Sequence, residues 1–125
     1  MHTLEQDFAE KVYQQITQVE QQSRTFKDEY GGMAHKLPVL IRQAGLVQAL
    51  AYVAARGKKG AKQLLEDLAN VLEYSSTQEL LQNSREAPLL EYMRLTRQAT
   101  VALTWYKRFA QSVLGVDPTT EEDRE

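Results

Sequence analysis

The chain has 125 residues, no cysteine and a formal net charge of −2, a size that fits one domain with a single buried core. Without cysteine there is no disulfide framework, no thiolate zinc site and no cysteine nucleophile. No apolar run approaches the roughly 20 residues of a membrane span, and Met1-His2-Thr3-Leu4-Glu5-Gln6-Asp7 lacks the basic-then-apolar order of a signal peptide, so a cytoplasmic protein with no membrane partner is expected.

Leu4, Phe8, Val12, Ile16 and Val19 recur at three- and four-residue steps and predict a first amphipathic helix. Thr3, with Gln6 three residues later, reads as its capping box. Gln6, Gln14, Gln15, Gln18, Gln21 and Gln22 read as its solvated side. Tyr30-Gly31-Gly32-Met33 predicts a break, because adjacent glycines each cost roughly 1 kcal/mol inside a helix. A short helix then runs to about Ala44, with Pro38 placed in its first turn, where the missing N–H costs little. Gly45 suits a left-handed residue after that helix. Leu46, Ala49, Leu50 and Val53 stripe the next helix, which is apolar nearly all round and is expected to be the central one.

Arg56-Gly57-Lys58-Lys59-Gly60 reads as a loop. Ala61, Leu64, Leu65, Leu68, Val71 and Leu72 define a further helix that stops near Tyr74-Ser75-Ser76. Thr77 is expected to cap a short helix containing Leu80 and Leu81. Pro88 opens a long final helix to Gly115, roughly 26 residues or ~39 Å. The fold expected is therefore all-α: one compact domain of about six helices over residues 1–115, ending in a long helix. Residues 116–125 form an acidic tail expected to be disordered.

Catalytic chemistry is sparse. His2 and His35 are the only histidines, neither has a second ligand at metal-binding spacing, and each is expected to be exposed or to cap a helix. Glu66 and Asp67 are adjacent, do not share a helix face and read as solvated. Gly57-Lys58-Lys59-Gly60 lacks both the strands of a nucleic-acid-binding Gly-x-x-Gly loop and the Lys-Ser/Thr ending of a P-loop. No enzyme, metal, cofactor or small-molecule substrate is expected.

Charge is unevenly placed. From Arg24 to Lys62 eight Lys/Arg face two acids, giving +6, whereas Asp117, Glu121, Glu122, Asp123 and Glu125 against Arg124 give −4. A basic middle is compatible with a polyanion, and equally with an ordinary solvated surface. On the final helix, Tyr92, Leu95, Ala99, Ala102, Leu103, Tyr106, Phe109, Ala110 and Val113 share the core face. Arg94, Arg97 and Arg108 share the opposite side with Val101 and Thr104, and Trp105 flanks them. Such a stripe suits a phosphate backbone, and Val101 with Trp105 suits a protein interface.

Lys36-Leu37-Pro38, Leu40-Ile41, Gly45-Leu46 and Gln48-Ala49-Leu50-Ala51-Tyr52 resemble a signature of one family. Leu89-Leu90-Glu91-Tyr92-Met93-Arg94, Ala99 and Leu103 to Ala110 resemble its second signature. The family is the small α-helical subunit, the fifth Cmr protein, of type III-B CRISPR (Cmr) RNA-guided effector complexes. Ala44, Tyr52 and Lys107 depart from residues usual in it. The resemblance implies a non-catalytic subunit that stacks along the effector's backbone subunits and neighbouring small subunits, where target RNA pairs with guide RNA in antiviral defence. Base pairing reads sequence there, so the protein recognises backbone and shape. By position the resemblance points to Lys36, Arg42, Arg94, Lys107 and Arg108 as RNA-binding. Charge clustering and helix geometry add Lys58, Lys59, Lys62 and Arg97. The rival expectation is a helical adaptor that binds protein and never meets nucleic acid.

Overall fold

Six helices account for the regular structure of the computed structural model, which describes residues 3–118. The first, α1 (Leu4–Val19), starts with the expected capping box: the Thr3 hydroxyl accepts from the Gln6 N–H and the Gln6 side chain accepts from the Thr3 N–H. It buries Phe8, Val12, Ile16 and Val19. The chain turns at residues 20–23, and the Ser23 hydroxyl caps the start of α2 (Arg24–Ala44).

Three expectations fail in α2. Tyr30-Gly31-Gly32-Met33 is no break: the helix runs through it. Pro38 lies well inside the helix and not in a first turn. The helix after Gly45 is not the central one, because α2 is. Burial explains all three. Residues 30–35 are buried without interruption, so packing on several sides outweighs the glycine penalty and the one backbone hydrogen bond that Pro38 removes. At Gly31 the absent side chain is itself a requirement. A Cβ there would lie 2.7, 2.8 and 2.9 Å from Val116 Cβ, Cγ1 and Cγ2.

Gly45 takes φ 88° as expected, with an extended ψ of 162°. It ends α2 through its N–H to Ile41 and begins α3 (Leu46–Arg56) through its carbonyl to Ala49. Only Gly57 and Lys58 separate α3 from α4 (Lys59–Val71), so Lys59 and Gly60 of the expected loop are helical. Helix α4 ends with Glu73 at φ 70°. Ser76 caps α5 (Thr77–Glu86), displacing the expected Thr77, whose hydroxyl instead donates to Glu66 at 2.6 Å. Pro88 precedes α6 (Leu89–Ser112), which is 24 residues long.

Helix α2 packs against α3, α4 and α6, and α1 packs against α6 and α4. Tyr30 and Tyr106 are fully buried and meet edge to face at 6.3 Å near the centre. The core continues past Gly115: Leu114 and Val116 are buried, so Val116 belongs to the domain and not to the tail. Of residues 116–125, expected to be disordered, Val116 is buried in the core, and residues 119–125 lie outside the described residues.

Candidate nucleic-acid interface

Helix α6 divides as its sequence predicts. Leu95, Ala99, Ala102, Leu103, Tyr106 and Ala110 point inward. Arg94, Arg97 and Arg108 are exposed on the far side. The hydroxyls of Thr96, Thr100 and Thr104 donate to backbone carbonyls one turn earlier, which leaves the arginines as the polar heads of that face. The Arg108 guanidinium lies 5.2 Å from the Trp105 ring centroid, within cation–π range. Trp105 stacks on Phe109 at 5.7 Å, and Phe109 receives the edge of Tyr13 at 5.3 Å. Val101 and Trp105 are half-buried, and the buried indole N–H of Trp105 has no hydrogen-bond partner among the described residues. Lys107 is half-buried and points about 100° away from Arg108 around the helix.

Lys58, Lys59 and Lys62 are exposed around the start of α4. Gly60 anchors that start, because its N–H donates to Glu29 Oε1 of α2 at 3.0 Å. A Cβ at Gly60 would lie 2.5 Å from the Phe26 carbonyl, so only glycine permits the approach. Lys36 is two turns beyond Glu29 on the same side of α2. The structure thus sets Lys36 along the edge that carries the α4 lysines. Arg42 lies about 120° round α2 from Lys36 and is exposed on another face. The nine basic residues therefore form three sets: Lys36 with the α4 lysines, Arg42 alone, and the α6 arginines with Lys107 beside them.

None of the nine forms an ion pair with a described residue. The two salt bridges among those residues are Lys11–Glu73 at 3.9 Å and Arg24–Asp28 at 2.9 Å.

Three sequence readings are corrected by burial. Asp67 is not solvated. It is buried under Tyr30, whose hydroxyl donates to Oδ2 at 2.6 Å, and Gln63, whose amide donates to Oδ1 at 2.8 Å. Gln15, read as part of the wet side of α1, donates to the Asp67 backbone carbonyl and accepts from the Tyr106 hydroxyl. Burial pushes the Asp67 carboxyl above the usual aspartate range, and the hydrogen bonds from Tyr30 and Gln63 oppose that rise. His35 is buried, with Nε2 at 3.0 Å from the Val116 carbonyl, and is neither exposed nor a helix cap. Asp67 was detectable in sequence as a polar residue on the stripe of Leu64, Leu68 and Val71.

Sequence reasoning also missed an apolar patch: Leu89, Leu90 and Met93, at the start of α6, are 71, 77 and 56 % exposed. The clefts are modest. One of about 190 Å³ lies over Asp67, lined by Gln15, Gln18, Gln22 and Gln63. Among the described residues no three His, Cys, Asp or Glu side chains come together as a metal site would require.

Residues 4–113, nearly the whole described helical body, match the profile of the family described as CRISPR-associated protein (Cas_Cmr5). The chain belongs to the CRISPR-associated Cmr5 family. It is 48% identical over 114 residues to a curated protein of Thermus thermophilus named CRISPR system Cmr subunit Cmr5, covering 91% of this chain and 98% of that one. A crystal structure of a Cmr5 family protein from Thermus thermophilus superposes with a TM-score of 0.86 at 48% identity, covering 91% of this chain and 99% of that chain. The resemblance carried by Lys36–Tyr52 and Leu89–Ala110 is thus a family relationship. In Cmr5 terms, the first signature spans the end of α2, the Gly45 joint and α3, and the second lies in α6.

Proposed function

We propose that this chain is a non-catalytic small subunit of a type III-B CRISPR (Cmr) effector, which stacks along the backbone subunits and contacts guide and target RNA through basic helical faces. The observation that carries the reading is a set of nine cations with no ion-pair partner among the described residues. Arg24 is tied to Asp28, but Lys36, Arg42, Lys58, Lys59, Lys62, Arg94, Arg97, Lys107 and Arg108 have no such tie there. Guanidinium and ammonium groups recognise phosphates without reading bases, and base pairing between guide and target supplies the sequence. The curated relative's name as a Cmr subunit supports Cmr subunits as partners, and Val101 with Trp105 is the proposed protein contact. No helix among the described residues is long and apolar enough to cross a membrane; the proposed place of work is the cytoplasm, with the RNA.

The test is Arg94→Glu combined with Arg108→Glu in the assembled effector. The variant is expected to stay helical and to lose RNA retention, with a shallower salt dependence by ~0.7–0.9 in log–log slope per phosphate contact removed. Parent-like assembly and RNA retention across several salt concentrations would remove the α6 stripe from the interface. A protein-only adaptor is the second reading, favoured by exposed Leu89, Leu90 and Met93. Partner complexes that persist after nuclease treatment, with no salt-sensitive RNA, would select it.

A further inference from the structure

The cleft of about 190 Å³ between α1, the start of α2 and α4 is built of side-chain amides around one aromatic ring. Its floor and two of its walls are fixed. The buried Asp67 carboxylate accepts from Tyr30 at 2.6 Å and from Gln63 at 2.8 Å. Gln15 donates to the Asp67 backbone carbonyl at 3.0 Å and accepts from the Tyr106 hydroxyl, so both ends of its amide are held. Gln18 and Gln22 complete the α1 side. Both are exposed, and their side-chain amides have no hydrogen-bond partner among the described residues. Gln63, with its N–H₂ committed to Asp67, keeps its Oε1 as a free acceptor. Phe26, half-buried, supplies the ring.

This lining selects a class of ligand. The cleft holds no cation, so it does not attract a phosphate. Its one carboxylate is already satisfied by Tyr30 and Gln63, so it does not attract a cation. What it offers is neutral donors and acceptors beside an aromatic ring, which suits a flat, uncharged, hydrogen-bonding ring system. An unpaired nucleobase is such a group: it stacks on aromatic side chains and presents its edges to polar ones. The carbonyl and N–H₂ of a glutamine amide match the amino group and ring nitrogen of adenine. The space is smaller than the ~300–1,000 Å³ of a drug-sized pocket and suits one base. Lys59 is exposed one turn before Gln63 on the same side of α4, about 6 Å along the helix. A phosphate on that lysine leaves its base beside the cleft.

We infer that this cleft receives one unpaired base of a bound RNA strand, adenine in preference to uracil, with Gln18, Gln22 and Gln63 on its edge and Phe26 against its ring. The inference rests on the proposed RNA contact and adds a base preference to it.

The test uses the full chain and two RNA strands of equal length, an all-uridine nonamer and the same nonamer with adenine at its three central positions. Their phosphates are equal in number, so the backbone contribution cancels in the ratio. At one salt concentration the adenine-containing strand is expected to bind about fivefold more tightly, the low end for one bidentate amide contact. Gln18→Ala combined with Gln22→Ala is expected to bring the ratio close to one while affinity for the uridine strand is kept. Equal binding of the two strands by the parent, or a ratio that survives in the double variant, overturns the inference. In a second arm adenosine and uridine, which carry no phosphate, are titrated into the isotope-labelled chain. The side-chain amide NMR signals of Gln18, Gln22 and Gln63 are expected to shift at lower concentrations of adenosine than of uridine. No shift, or equal shifts, overturns the inference. A chain that binds neither strand counts against the proposed function, and the nucleoside titration then decides the cleft by itself.

Discussion

Replacing Gly31 by alanine gives a sharp test of how the C-terminal segment is seated. In an ordinary helix interior the change is favourable by ~1 kcal/mol. Here the new Cβ would meet Val116 Cβ at 2.7 Å and both its methyls below 3.0 Å, so Val116 must leave. Val116 is fully buried, and exposing a valine side chain costs about 1.5–3 kcal/mol. Losing the His35 contact to its carbonyl adds about 1 kcal/mol. The net expectation is a loss of ~2 kcal/mol, or a fall in Tm of roughly 8 °C for a domain of this size. The partner substitution distinguishes packing from anything else. Val116→Ala keeps the Cβ that is closest, so it does not rescue; Val116→Gly removes it, and in that background Gly31→Ala is expected to stabilise by the helix-propensity amount. Urea denaturation followed by circular dichroism on the four chains measures the coupling, expected at ~2–3 kcal/mol. If Gly31→Ala stabilises the parent, the C-terminal segment does not lie across α2 and the reasoning is refuted.

Two further outcomes follow from single residues. The raised carboxyl of Asp67, caused chiefly by burial, binds a proton more tightly in the native state than in the unfolded chain. Its stabilising contribution is therefore complete below the unfolded value of about 3.9 and is lost as pH rises through the native one. Asp67→Asn, which does not titrate, is expected to gain stability relative to the parent as pH rises from acid to neutral, and a gap independent of pH in denaturant titrations would contradict this. Glu73 holds φ 70° at the end of α4, a conformation that suits glycine. Its ion pair with Lys11 is long and exposed and worth little, so Glu73→Gly is expected to stabilise by ~0.5–1 kcal/mol, read as a rise in Tm.

The elements were legible where one face of the chain had to be apolar. Phe8, Val12, Ile16 and Val19 describe α1, and Leu64, Leu65, Leu68 and Val71 describe α4, because periodic burial is recorded directly in residue type. The middle of α2 was misread because Gly31, Gly32 and Pro38 are local signals for a break, and what outweighs them is burial by residues far away in sequence, such as Val116 against Gly31. Asp67 and His35 were misread for the same reason: a buried polar residue looks like a surface one until Tyr30, Gln63 and Val116 are in place around it. Exposure of the basic residues was legible, as hydrophilic positions opposite an apolar stripe. Their grouping was not, since nothing local sets Lys36 along the edge of the α4 lysines or turns Arg42 away from it.

The distribution of polar partners separates folding from function in this molecule. The buried donors and acceptors largely satisfy one another: Tyr30 and Gln63 with Asp67, Tyr106 with Gln15, and Arg24 with Asp28 and the Leu114 carbonyl. Removing one member of such a set leaves a buried group unsatisfied, at a cost of about 1–3 kcal/mol. Arg94, Arg97 and Arg108 take part in none of these sets, and Arg108 touches only the rim of the core through Trp105. Exposed charges outside such sets contribute little to stability, so the fold does not require them. Their charge is available to a ligand at no cost in stability, and reversing it tests the interface without testing the fold.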